Sequence, residues 1–231
     1  MAGNQHEDIY HVWLPVYVLA RIFQGGTMMR SKTLRAHDLA IEICRQEKLS
    51  YERMHVRTEA LLCRFAQGQS SGLIDPDIGT AEAIKREKQR IRRTYIEIIS
   101  GVRKFTEDEY SDFIWDVVRS NWFMEKAEMV LDSIEEMLDG QVTQDEYDPY
   151  EDYNKEGKRL KTIIKKAYLN GRQKIMSPKA ICTEIDISKA TYDRRLPDGI
   201  VLFGMLIWIY ACRRELEDIE AGLKDIKNGC R

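Results

Sequence analysis

The chain has 231 residues, of which 43% are apolar and 32% charged, enough for one large or two small domains with a substantial core. That composition excludes a disordered or low-complexity chain. The formal net charge of −2 says little about partners, because the charge is unevenly distributed along the sequence. Only five prolines and fourteen glycines interrupt long stretches of 3.6-residue apolar periodicity, which predicts an all-α protein.

In chain order, a first helix is predicted over 8–24, broken by Gly25-Gly26, and a second over 31–46. Ser50 caps a third that runs to residue 67, and the stretch 68–79, with its Ser, Gly, Asp and Pro, reads as a loop. Thr80 starts a helix to residue 104 with Ile84, Ile91, Tyr95, Ile98 and Val102 on one stripe. Thr106, with Glu109 three positions on, is a capping-box start for a helix to residue 138. That helix carries Phe113, Val117, Trp122, Val130, Ile134 and Met137 inward, and pairs with its predecessor as a long antiparallel hairpin. The basic run 85–93 on the first arm would then lie near the acidic face of the second. A solvated or internally paired face is the usual fate of such a run, with DNA contact as the alternative.

Residues 139–154 are acidic, tyrosine-bearing and poor in aliphatics, with Pro149; by composition they form a linker. The expected organisation is a helical N-terminal region (1–138), the acidic linker (139–154) and a C-terminal domain (155–231). The linker carboxylates lack EF-hand spacing and read as solvated acid.

Within the C-terminal part, residues 177–196 have the spacing of a helix-turn-helix. Ser177 is a cap before Pro178, which suits the first helical position because its missing N–H costs nothing there. Ile181, Ile185, Ile187 and Tyr192 pack inward, and Cys182 is the small residue between them. Asp186 occupies the turn, where it tolerates left-handed backbone better than most residues. Ser188 caps a second helix carrying Lys189, Thr191, Arg194 and Arg195, whose first turn could reach base edges in a major groove. Arg195 falls where such a helix usually turns an apolar residue inward. A DNA-reading motif and a structural helical hairpin both fit these twenty residues.

The flanks bear on that choice. Residues 155–195 hold twelve Lys/Arg against four acids, whereas 107–152 hold sixteen acids against Arg119 and Lys126. A basic segment around a helix-turn-helix is the electrostatic footprint of a phosphate-binding face. The alternative is that the acidic block neutralises the basic one inside the protein. On the first reading Ser188, Lys189, Thr191 and Arg194 face the groove, with Arg194 the candidate for a bidentate base contact and Arg195 beside it. Lys158, Lys161, Lys165, Lys166, Arg172, Lys174 and Lys179 would then meet phosphates.

Residues 160–220 resemble the C-terminal part of the ArpU/RinA-type phage and prophage transcriptional regulators, whose DNA-binding part is similar to region 4 of sigma-70 factors. The resemblance rests on the apolar-basic helix I-I-K-K-A-Y-L, on I-C-T-E-I-D-I-S-K-A-T-Y-D-R-R-L, and on the helix opening P-D-G-I-V-L-F-G. It covers roughly a quarter of the chain. It implies sequence-specific binding of double-stranded DNA near a promoter and no enzymatic activity; on that reading the N-terminal helices would mediate oligomerisation or contact RNA polymerase.

No nucleophile motif, phosphate-cradling glycine loop, H-E-x-x-H or paired carboxylates occur, so neither an enzyme nor a cofactor is expected. The five cysteines are scattered and all four histidines lie before residue 56, which leaves no zinc pattern. With no signal-peptide pattern, reduced thiols in a cytoplasmic protein are expected. Two apolar runs, 12–23 and 200–212, fall short of the ~20 residues that span a bilayer and read as buried helices. The second is apolar on all sides, so either the N-terminal helices or a second copy must cover it. A homodimer is favoured, because it would place two recognition helices ~34 Å apart. Two other classes stay open: a phage DNA-packaging protein of terminase small-subunit type, and a helical protein–protein adaptor that binds no DNA.

Overall fold

The computed structural model describes residues 35–71, 80–101, 105–139, 156–170 and 176–229. Among these the chain is all-helical and has no strand. The helices are α1 (Ala36–Gln46), α2 (Tyr51–Ser71), α3 (Ala81–Ser100), α4 (Glu107–Arg119), α5 (Asn121–Asp139), α6 (Glu156–Tyr168), α7 (Pro178–Glu184) and α8 (Lys189–Gly229). The helix expected over 8–24 and the start of the one expected over 31–46 lie outside the described residues.

Helix ends follow local chemistry. Thr80 accepts the Ala83 N–H at 3.3 Å to start α3. Gly101, in the left-handed region at φ 68°, ends α3 at Ser100, earlier than the expected 104. Thr106 and Glu109 form the reciprocal capping box. The single helix expected from there to 138 is instead two. Ser120 is extended (ψ 138°), and its hydroxyl accepts the Phe123 N–H at 3.3 Å, restarting the chain as α5. In the other direction α2 runs on to Ser71, taking up the first residues assigned to a loop; 72–79 lie outside the described residues.

A second correction concerns Pro197. The sequence pattern separates a short recognition helix from an apolar helix starting at this proline, yet both belong to α8, with Pro197 inside it. Proline there removes one N–H donor and ordinarily breaks or kinks a helix. Here the next residue is clasped from outside. The buried Asp198 carboxylate accepts the Tyr51 hydroxyl at 2.6 Å and lies 2.8 Å from His37 Nδ1. Leu196, one residue before, packs against apolar side chains on both sides of the junction.

Beyond the clasp α8 runs through the middle of the molecule, with α1, α2, α3, α5 and α6 packed around it. Every residue from 200 to 207 is buried, as an all-round apolar helix requires. Each buried Leu, Ile or Phe contributes about 1.5–3 kcal/mol of apolar burial. The approach is close at Gly204, where a Cβ would sit 1.9 Å from Thr58 Oγ1; Tyr95 donates to the Gly204 carbonyl at 3.0 Å. By length and composition 189–222 could cross a membrane, but 72% of its most apolar window is buried inside the fold. The apolar run is thus covered by the chain's own helices, and the reason for invoking a dimer to cover it disappears.

The same core takes in residues on both sides of the segment expected to be a linker, from Ala36 and Leu131 to Leu160 and Phe203. The boundary placed at 139–154 therefore does not separate two cores. Asp139 closes α5 and accepts the N–H groups of Gly157 and Lys158 at 2.8 and 2.7 Å, capping α6 across the gap. Gly157 permits this close approach, since a Cβ there would meet Glu135 backbone at 2.8 Å.

Candidate nucleic-acid interface

At one end of the molecule α6, α7 and the start of α8 enclose a small separate apolar cluster of Ile163, Ala167, Ile181, Cys182 and Tyr192. Ile185, Ile187, Met176 and Leu196 close it from the sides. Burial raises the Tyr192 hydroxyl above its ordinary pKa. Ser177 accepts the Ala180 N–H at 3.3 Å to start α7, with Pro178 in its first turn. The turn closes through the Ile185 N–H to Ile181 and the Ile187 N–H to Cys182, at 3.1 and 3.0 Å. Asp186 takes the left-handed conformation (φ 50°) that the turn demands. Ser188 then caps α8 by accepting the Thr191 N–H at 3.1 Å, its hydroxyl 2.9 Å from that of Thr191. Two short helical segments joined by a tight turn thus pack against α6 over 177–196.

The start of α8 presents Ser188, Lys189, Ala190, Asp193 and Arg194 to solvent, with Lys179 exposed on α7. Lys189 stands 3.7 Å from Asp193 and is 79% exposed, so that contact hardly restrains it. Thr191 is half-buried against the Ser188 cap. Arg195 is turned into the body, 3.8 Å from Glu156, rather than facing the groove side. Its position is the one where the pattern calls for an inward residue.

The basic helix α6 departs most from the expectation of a free phosphate face. Lys161 donates to Asp132 and Glu135 on α5, at 2.7 and 2.6 Å, and Lys165 pairs with Glu128 at 3.0 Å. Lys166 reaches Glu184 on α7 at 2.5 Å. Burial opposes the charge of Lys161, but the two carboxylates outweigh it and raise its pKa. Lys158 is exposed at the start of α6, while Arg172 and Lys174 lie outside the described residues. Two lysines of the basic block are therefore matched by carboxylates of the acidic block across the α5–α6 contact, and the local surplus of positive charge is smaller than the sequence count.

The basic run of α3 has the internally paired fate. Lys88 meets Glu125 at 3.0 Å and Arg90 meets Asp116 at 2.9 Å, joining α3 to α5 and α4. Arg92 is buried with Glu215 and Asp218 of α8, and Arg93 donates to Glu215 at 2.6 Å. The role of α8 in this pairing has no signal in the sequence, because it depends on a helix more than a hundred residues away. Arg159, also absent from the sequence-derived residues, lies close enough to Arg195 to disfavour its charge. Among the described residues no group of three or more His, Cys, Asp or Glu is placed to hold a metal ion.

No family model, curated protein or solved structure matches this chain.

Proposed function

We propose that this chain is a sequence-specific, double-stranded-DNA-binding transcriptional regulator of the phage and prophage type, cytoplasmic and without enzymatic activity. The observation that carries the reading is the small core of Ile163, Ile181 and Tyr192 behind a helix start that exposes Ser188, Lys189 and Arg194. That is the economy of a recognition helix: apolar side chains fix its pose, and polar ones remain free for base edges. The likeness of residues 160–220 to the ArpU/RinA-type regulators supports it. In this reading the α1–α5 body is what remains to contact RNA polymerase or a second copy of the chain. Phosphate contacts fall chiefly to Lys179 and Lys189, because Lys161, Lys165 and Lys166 already face carboxylates.

Selection of bound fragments from random duplex DNA tests the reading, followed by Arg194→Ala on the selected site. A bidentate base contact is worth about 1–3 kcal/mol of discrimination, so R194A should flatten preference among sites more than it weakens binding to random duplex. Equal losses on both would make Arg194 a phosphate contact, and failure to enrich any sequence would overturn sequence-specific binding.

A second reading, a protein–protein adaptor, is favoured by the pairing of α6 lysines with α5 acids. It predicts no salt-sensitive binding to any DNA, whereas the regulator predicts affinity falling steeply as salt rises.

A further inference from the structure

Past Glu215 the last turns of α8 leave the core. Glu215 is still buried, held by Arg92 and Arg93 of α3, and Asp218 pairs with Arg92 and accepts the Gln89 side-chain amide at 3.1 Å. Those contacts fasten one face of the helix. On an adjoining face Leu216 is 61% and Ile219 52% exposed, and every residue from 219 to 222 meets solvent. Single exposed apolar side chains are ordinary on a protein surface. Of the large ones among the described residues (Ile41, Val56, Met124, Leu216 and Ile219), only the last two stand one turn apart on one helix. The sequence repeats the step with leucine and isoleucine at positions 223 and 226, so that 216, 219, 223 and 226 follow the alternating spacing of a coiled-coil seam. One flank of this stripe carries Arg213 and Glu220, two turns apart and of opposite charge.

We propose that this stripe is a self-association surface, on which Leu216 and Ile219 pack against Ile219 and Leu216 of a second copy, the two α8 ends running antiparallel. Charge selects both the occupant and the direction. A two-fold axis crossing the stripe between 216 and 219 sets Arg213 of each copy beside Glu220 of the other. That gives two equivalent opposite-charge contacts, as a self-complementary interface requires. Parallel pairing would instead bring Glu215 toward Glu220, like charge on like, with no attraction in return. Arg213 already stands 3.1 Å from Glu217, but that pair lies one turn apart on a half-exposed surface and holds it weakly. The chain's own helices cover 200–207, and this surface begins where that cover ends. Neither the pairing nor its test depends on the DNA-binding reading.

The test is the mass of the full chain, by sedimentation across the micromolar range. The native sequence should approach twice its 27.0 kDa as concentration rises. Leu216→Asp combined with Ile219→Asp should hold the chain at the single mass while its helical circular dichroism is kept, because both side chains are exposed in one copy. Charge variants leave the apolar side chains in place and test the direction. Glu220→Arg sets like charges across the axis twice and should raise the dimer dissociation constant roughly tenfold. R213E together with E220R restores opposite charges and should recover much of that loss. Should the two aspartates impair folding, E220R carries the decision alone. A native chain that stays at 27.0 kDa, or a dimer indifferent to L216D/I219D, would overturn the surface. A monomer whose Tm falls with those substitutions would overturn it too, because the chain itself would then be covering the stripe. Tighter association of E220R would overturn the antiparallel arrangement, since that change relieves only parallel pairing.

Discussion

One helix, α8, lives in two surroundings. Over residues 200–207 it is enclosed on every side, whereas over 189–196 only Tyr192 is buried and Lys189, Ala190, Asp193 and Arg194 meet solvent. The difference is one of apolar density: the first stretch has no polar face to expose, and the second has a single inward stripe. The same backbone therefore serves as the axis of a core and as the outer helix of a small satellite cluster, with the Asp198 clasp marking the change.

The sharpest way to break that contrast is to cut equally large aromatic side chains from each part. Phe203→Ala should cost about 3–5 kcal/mol of global stability, read by denaturant unfolding. Tyr192→Ala should act locally, speeding hydrogen exchange over 178–192 while the body around 200–207 keeps its protection. Matching losses of protection in both regions would show that the satellite cluster does not open on its own. Next in size is the ionic anchor of the enclosed end. Glu215→Leu leaves the buried Arg92 with Asp218 alone and exposes the Arg93 contact, and should destabilise by about 3 kcal/mol. A neutral result would mean that Arg92 relaxes toward solvent. Asp139→Ala removes the cap that α5 supplies to α6 and should cost about 1 kcal/mol. Smallest is Lys165→Ala, which breaks a pair whose partners are 45% and 57% exposed. Its effect on stability should stay below about 1 kcal/mol. If it nevertheless lowers the salt slope of DNA binding by ~1, the Glu128 pair opens to release the lysine to a phosphate.

Helix starts were legible because capping is local: Thr80, Thr106, Ser177 and Ser188 all do what their residue types and spacing imply. The turn between α7 and α8 was legible for the same reason, with Asp186 in its left-handed conformation. Two breaks were misread, each where a local rule met a tertiary contact. Ser120 ends a helix that apolar periodicity alone would continue, and Pro197 fails to end one because Tyr51 and His37 hold the next residue. The free basic face on α6 was misjudged because a charge count carries no distances. Acids 26 to 37 residues upstream in sequence turn out to face those lysines across one helix–helix contact. Arg195 had its inward placement written in the helical period.

The passage of α8 through Pro197 without interruption has a mechanical consequence. A terminal cluster hung on a linker can reorient independently of its body. Here the cluster is carried on the first turns of a 41-residue helix whose later turns are gripped by five other helices. Whatever the cluster engages, it engages with the orientation of the entire molecule already set. A tilt or twist imposed at Ser188 must be absorbed at the Asp198 clasp or be felt at Glu215 and Asp218 on the far side.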